Sequence, residues 1–254
     1  MSSSFPDHFS AVADAYADFR PRYPDALFDW LAAAVDSRRL ALDVATGNGQ
    51  AVAGLVDRFE RVLASDASAG QLARMPAWAN VETRCEPAEQ LSAADDSVDL
   101  LTVAQALHWF DHPRFFAEAW RVLRPGGLIA AWCYQQFASD DAALDLVLET
   151  YYHDVVGAYW PPQRAWVEQG YATLDWPFAE LPAPAFTLEA DWSRAQLLGY
   201  LGSWSATRLA GEATGRDPRA AIVPALERLW PDDETRRLRW PLKLRVGRKG
   251  MNVV

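Results

Sequence analysis

Apolar and polar positions change period along the chain. Ala41-Leu42-Asp43-Val44-Ala45 is a short, almost wholly apolar run ending in a glycine-containing loop, the pattern of a strand buried on both faces. Residues 50–59 read as a helix, 61–65 as a second strand closing at Asp66, and 80–84 and 98–104 as a third and fourth. Ser68 and Gln71 are spaced as a capping box, which starts a helix over 68–75. Residues 114–123 place Phe115, Phe116, Ala119, Trp120 and Leu123 on one helical face. Pro125-Gly126-Gly127 then breaks the helix, and residues 128–134 form a fifth strand.

Strand and helix alternating at this spacing predict parallel strands joined by right-handed crossovers. Ligands in such open α/β sheets lie beyond the carboxyl ends of the strands, at the switch point beside the first strand. The second half differs. Residues 159–184 are rich in Pro, Trp and Tyr with weak periodicity, and read as an irregular lid. Residues 186–192 predict a sixth strand, 193–204 and 218–230 helices, and 239–245 a strictly alternating half-buried strand.

Composition narrows the class. The 254 residues are 50% hydrophobic and 23% charged, as in a globular protein rather than a disordered one. No apolar run approaches the ~20 residues of a membrane span, and MSSSFPDHFS lacks a leader pattern, so a cytoplasmic protein is expected. Two cysteines, Cys85 and Cys133, suit a reducing compartment and are read as inert. A net charge of −10 disfavours a polyanion partner. Seven of the cations, and no acid, fall between Thr235 and Val254. Their alternation reads as one solvated sheet face rather than a nucleic-acid patch.

The chemistry concentrates in Asp43-Val44-Ala45-Thr46-Gly47-Asn48-Gly49. Glycines at a strand-to-helix turn let the backbone approach a ligand, and the helix start presents free N–H groups. A P-loop is excluded because no Gly-Lys-Ser/Thr follows. A dinucleotide fingerprint fits at Gly47 and Gly49 but meets Val52 at its third glycine. The pattern acidic-x-G-x-G-x-G fits with Asp43 as the acid and Ala45 in place of the first glycine.

Over residues 9–134 the chain resembles the class I S-adenosylmethionine-dependent methyltransferases, most closely their small-molecule (type 11) branch, which includes the trans-aconitate methyltransferases. Ordered matches carry the resemblance: the Asp43–Gly49 loop, Asp66, Ala88-Glu89, Gln105-Ala106-Leu107-His108-Trp109-Phe110, Arg121 to Gly127, and Tyr16 with Arg20-Pro21 and Tyr23-Pro24. It implies a Rossmann-like, doubly wound sheet of seven mostly parallel strands with an antiparallel last strand and a lid insertion. It also implies S-adenosylmethionine as cofactor and S-adenosylhomocysteine as product. The residues it points to for the cofactor are Tyr16, Arg20, Asp43, Ala45, Thr46, Gly47, Gly49, Asp66 and Ala67, then Ala88, Glu89 and Gln105. Asp66 would take the ribose hydroxyls, Glu89 the adenine side, and Gln105 the methionine portion. Ala45 is tolerable there if its φ is negative, and Glu86 departs from the glycine common before the adenine turn.

Beyond the cofactor, His108 is the candidate base, with a pocket-lining role as the blander reading. Trp109, Trp132, Tyr134 and Trp204 are expected to line the acceptor cleft and Arg208 to hold an acidic acceptor. Trp160, Trp166, Trp176 and Trp192 add aromatic surface near the lid. The expected organisation is one domain: a helical cap over 1–35, a cofactor core over 36–134, a lid and acceptor segment over 135–210, and a final helix and strand over 211–254. The expected activity is O-methylation of a carboxylate or hydroxyl on a small molecule by a monomer or homodimer, with no metal, nucleic acid or membrane partner. A nicotinamide oxidoreductase and a non-catalytic cofactor-binding protein remain as alternatives.

Overall fold

The computed structural model describes residues 20–250. The strands are β1 (Leu40–Val44), β2 (Arg61–Asp66), β3 (Val81–Cys85), β4 (Val98–Ala104), β5 (Leu123–Tyr134), β6 (Ala179–Glu180), β7 (Thr187–Ser193) and β8 (Thr235–Arg248). They lie side by side in the order β3-β2-β1-β4-β5-β8-β6, with β7 also on β8. β1 to β5 are parallel, and β8 runs antiparallel to β5, β6 and β7. β6 and β7 pair with opposite ends of β8, in registers one residue apart. They act as two parts of one edge strand, interrupted where Pro182 and Pro184 supply no N–H to a ladder. The sheet is therefore the expected seven-stranded, mostly parallel one with its last strand reversed.

Period-two alternation sends side chains to two cores. Along β5, Leu128, Ala130, Trp132 and Tyr134 join one core, and Ile129, Ala131 and Cys133 the other. The helix Asp25–Ala34 packs on the first face through Leu27, Phe28 and Leu31, and the helix His112–Val122 on the second through Phe115, Phe116 and Ala119. Trp120 departs from the expected apolar face. It is 39% exposed, with Phe178 at 5.5 Å and the Lys249 ammonium over its ring.

Three further expectations change. The helix after the glycine loop is regular only over Val52–Leu55. Pro125-Gly126-Gly127 does not separate helix from strand by a loop; β5 already pairs at Leu123 and shifts register there. The segment 135–210 is not an appended lid, since β6 and β7 within it complete the sheet. Its remainder is helical: Ala142–Thr150 runs into a π-turn at Tyr151–Val155, followed by Arg164–Glu168, Arg194–Gly202 and Ser205–Thr214.

The cations of β8 form no open basic stripe. Arg237 and Arg239 face Asp191 and Glu189 directly across the β7–β8 ladder, and Arg236 and Arg245 pair with Asp141 and Glu180. Such exposed pairs add little stability, but they occupy the charge a polyanion would need.

Candidate active site

The carboxyl ends of β1 and β2 bring the sequence-predicted cofactor residues together. Asp43 is fully buried on β1. Its Oδ1 accepts a 2.6 Å hydrogen bond from the Thr102 hydroxyl, directly opposite on β4. Its Oδ2 is buried without a hydrogen-bond partner among the described residues. Burial pushes the Asp43 carboxyl up to about 6, against the opposing effect of the Thr102 and Thr46 hydroxyls. A buried carboxylate with one oxygen not engaged suits a cationic partner.

Past Asp43 the backbone turns left-handed. Ala45 has φ +55°, Gly47 φ +58° and Gly49 φ +87°. The expectation of a negative φ at Ala45 is thus overturned. The loop must reverse immediately after the strand, and Ala45 carries a left-handed strain of about 1 kcal/mol. A side chain on Gly49 would collide with Met75, whereas the space beside Gly47 is open. Asp66 ties the two strand ends together. Its Oδ2 accepts from the Gly47 N–H at 2.9 Å and its Oδ1 from the Ser68 N–H at 2.8 Å. Ala67 lies exposed beside it. The turn after β3 is anchored by the Glu86 N–H on the Asp66 carbonyl, which sets buried Ala88 nearby. Glu89 Oε1 accepts from the Asp111 N–H at 2.9 Å, so it links this turn to the start of the next helix.

Gln105 ends β4 with φ +57°. Its side-chain amide makes two bonds to the Tyr134 backbone, donating to the carbonyl at 3.2 Å and accepting from the N–H at 3.0 Å. The Gln105 side chain therefore splices the ends of β4 and β5. Trp132 is also corrected. It is wholly buried, edge-on to Tyr23 at 5.5 Å and Phe28 at 6.2 Å, and forms core rather than cleft wall. Tyr134 is 3% exposed, with the Arg20 guanidinium on its hydroxyl and 5.4 Å from the Tyr200 ring. Tyr16 lies outside the described residues.

His108 and Trp109 occupy a 3-10 turn, Leu107–Trp109, just beyond β4. His108 Nδ1 is 3.0 Å from the Tyr171 hydroxyl. Burial, with the Arg164 charge next in weight, holds His108 down to about 3, and burial raises the Tyr171 phenol well above its ordinary value and keeps it protonated. The phenol O–H then donates to Nδ1, and the ring proton sits on Nε2. His108 is a neutral hydrogen-bond donor at pH 7 and a poor proton acceptor. A proton-detected NMR titration should show no His108 transition between pH 5 and pH 9; a midpoint between 6 and 7 would contradict this environment. Cys133 is inert, its thiol pushed up to about 12 by burial.

On the acceptor side, Trp204 meets Trp160 at 5.5 Å, Tyr200 at 5.6 Å, Tyr152 at 5.8 Å and Tyr151 at 6.0 Å. The other lid tryptophans divide: Trp166 and Trp176 pack on the opposite sheet face, whereas Trp192 meets the cluster at Tyr200 and packs against Trp240. Arg208 is corrected as well. It is paired at 2.6 Å with Glu212 one turn along its own helix, and lines a separate surface hollow with Arg216 and Arg219. Sequence reasoning missed Thr102, Tyr171, Tyr152 and Arg164. Only Thr102 left a signal, since aligning β1 with β4 places it opposite Asp43.

The comparisons with known proteins agree with this architecture. Residues 42–131 match the family model described as a methyltransferase domain. A Dictyostelium discoideum protein assigned as a methyltransferase is 33% identical over 228 residues, 88% of this chain and 86% of its own. A solved structure assigned as a type II methyltransferase, from Anaeromyxobacter dehalogenans, shares 43% identity at a TM-score of 0.86, covering 92% of this chain and all of that one. Trans-aconitate 2-methyltransferase of Deinococcus radiodurans is 39% identical over 92 residues, 35% of each chain. The chain belongs to the class I S-adenosylmethionine-dependent methyltransferases and is an enzyme of that family. The oxidoreductase and non-catalytic alternatives fall with that membership.

Proposed function

We propose that the chain methylates an oxygen atom of a small acceptor, a carboxylate in preference to a hydroxyl. The observation that carries the cofactor side is the orphaned Asp43 Oδ2, whose burial and charge fit the α-ammonium of S-adenosylmethionine. The open space beside Gly47 and the carboxylate of Asp66, aligned by two amides, fit the ribose side. Ala67 and Ala88 offer the small apolar surface an adenine ring needs, and Glu89 acts by fixing that turn. When bound, the cofactor supplies a sulfonium-activated methyl group.

The remaining task for the protein is alignment and exclusion of water. A carboxylate acceptor is ionised near neutral pH and needs no proton removed. A hydroxyl would need a base, and His108 is too weakly basic to serve well. No helix among the described residues is long and apolar enough to cross a membrane, and no metal-binding cluster occurs among them.

Calorimetry with S-adenosylmethionine and S-adenosylhomocysteine tests the reading. Both are expected to bind in the micromolar range, and absence of binding below about millimolar overturns it. Asp66→Ala should weaken both by at least about tenfold, because the variant loses a charged acceptor and loosens the Gly47 amide. Unchanged affinity removes the ribose role. Mass spectrometry of a metabolite mixture after turnover identifies the acceptor, and a methylated amine or carbon product would refute oxygen transfer.

A further inference from the structure

We propose that Arg164 is the residue that recognises a carboxylate of the acceptor, a deepening that rests on the methyltransferase reading above. Its setting differs from that of five other partly buried arginines. Arg58, Arg121, Arg124, Arg194 and Arg236 each pair with an acid. Arg164 has no acidic partner among the described residues. Its guanidinium lies over the Trp160 ring at 4.6 Å and beside the Tyr152 ring at 5.3 Å. Its Nε donates to the Tyr152 hydroxyl at 2.7 Å.

The acid that would ordinarily neutralise it is diverted. Glu168 stands four residues along the same helix, the spacing of a helical ion pair, yet its Oε1 accepts from the Tyr152 hydroxyl at 2.7 Å. Tyr152 thus occupies both the inner edge of the guanidinium and the carboxylate beyond it. The two terminal nitrogens of Arg164 have no acceptor among the described residues. Stacking fixes the plane of the guanidinium, so an incoming carboxylate meets an aligned two-point donor without ordering a flexible side chain.

Position supports a substrate role over a structural one. Arg164 and Tyr152 line a hollow of about 380 Å³ with Trp160, His153, Pro161 and Glu168, whose carboxylate is engaged by the Tyr152 hydroxyl. The helix Arg164–Glu168 sits over the end of β5, where the Gln135 amide bonds the Val167 carbonyl at 3.4 Å. Arg164 is close enough to His108 and Cys133 for its charge to act on both. Its helix also touches the Leu107–Trp109 turn that follows β4, which puts Arg164 near the carboxyl ends of β4 and β5 and near a His108 ring that carries a donor. The π-turn at Tyr151–Val155 aims Tyr152 into this cluster; such bulges recur at functional sites.

The test uses the full chain saturated with S-adenosylhomocysteine. Succinate, citrate and their methyl esters are titrated while tryptophan fluorescence is followed, since Trp160 lies against the guanidinium. At least one free acid should bind and its full ester should bind at least about tenfold more weakly. Arg164→Gln should weaken acid binding by at least about tenfold, Arg164→Lys should recover part of it, and Arg208→Gln should leave it unchanged. In turnover with an identified acceptor, Arg164→Gln should raise KM far more than it lowers kcat. Equal acid binding by wild type and Arg164→Gln overturns the proposal, as does failure of every acid to bind. Preference for inorganic phosphate over the acids overturns the carboxylate assignment. Calorimetry of S-adenosylhomocysteine with the same proteins separates the outcomes: lost cofactor binding in the wild type indicts the methyltransferase reading, and retained binding with no effect at Arg164 indicts only this residue.

Discussion

Asp43→Asn is expected to make the protein more stable at pH 8 by about 2 kcal/mol and to weaken S-adenosylmethionine binding about a hundredfold. Both effects follow from one carboxylate. Burial raises the Asp43 carboxyl from 3.8 to about 6. The folded chain thus holds that proton more tightly than the unfolded chain. The linked stability is fully present below about pH 3.8 and is lost as pH rises through about 6. Two units correspond to an upper bound of about 3 kcal/mol. Asparagine keeps an oxygen for the Thr102 hydroxyl and removes the buried charge. The same charge is what an α-ammonium would meet, and deleting one partner of a buried charged contact costs about 2–5 kcal/mol of affinity.

His108 titrates in the opposite sense, its proton affinity being lowered by folding, so the wild-type pH profile alone mixes the two groups. The difference between wild-type and Asp43→Asn unfolding curves isolates Asp43. That difference should vanish near pH 4 and level off above pH 7. Cofactor affinity of the wild type should fall as pH drops below about 6. A variant that is less stable at pH 8, or that binds the cofactor unchanged, would refute the account of this site.

Gly54→Ala is expected to destabilise the chain by about 2 kcal/mol, although alanine is the better helix former by about 1 kcal/mol. The clash decides the sign. A Cβ on Gly54 would stand 2.2 Å from Phe28 Cδ2 and Cε2, and Phe28 is itself wedged edge-on against Trp132 and Tyr23. Neither neighbour has room to give, and overpacking of this kind costs about 1–3 kcal/mol. The helix Val52–Leu55 begins just after the glycine loop, so its displacement should also weaken S-adenosylhomocysteine binding. Urea unfolding checks the first effect as a lower midpoint at an unchanged slope. Phe28→Leu in the Gly54→Ala background should recover part of the loss. Gly54→Ala at or above wild-type stability would show that the helix can move away from Phe28.

A dinucleotide fingerprint uses its third glycine for close helix–strand packing; here the close approach is of helix on helix, at Gly54 against Phe28, while Val52 at that third position is fully buried. Reading the pattern residue by residue weighed Val52 against the fingerprint, but the pattern did not say which later glycine carries the packing. That depends on how far the helix Asp25–Ala34 leans onto the loop helix, a distance between elements.

Local physics made the central sheet readable. Short apolar runs mark β1, β2, β4 and β5, strict alternation marks β8, and helical stretches between the runs restrict the connections. Asp43, Asp66 and the Gly47–Gly49 turn were legible for the same reason: each sits where a strand ends, and strand ends are marked in the sequence. What the sequence could not determine was which polar side chains are already engaged. Gln105 is taken by the Tyr134 backbone, Arg208 by Glu212, and Trp132 by Tyr23 and Phe28. Arg164 is left without an acid because Glu168, at helical spacing from it, accepts from Tyr152 instead. Those outcomes turn on distances between elements far apart in the chain, and only the folded chain sets them. The sequence by itself thus determined the sheet, the family and the residues that meet at the ends of β1 and β2. The tertiary structure alone decided which charged side chains away from those ends are left without a near partner, because that depends on packing between elements distant in the chain.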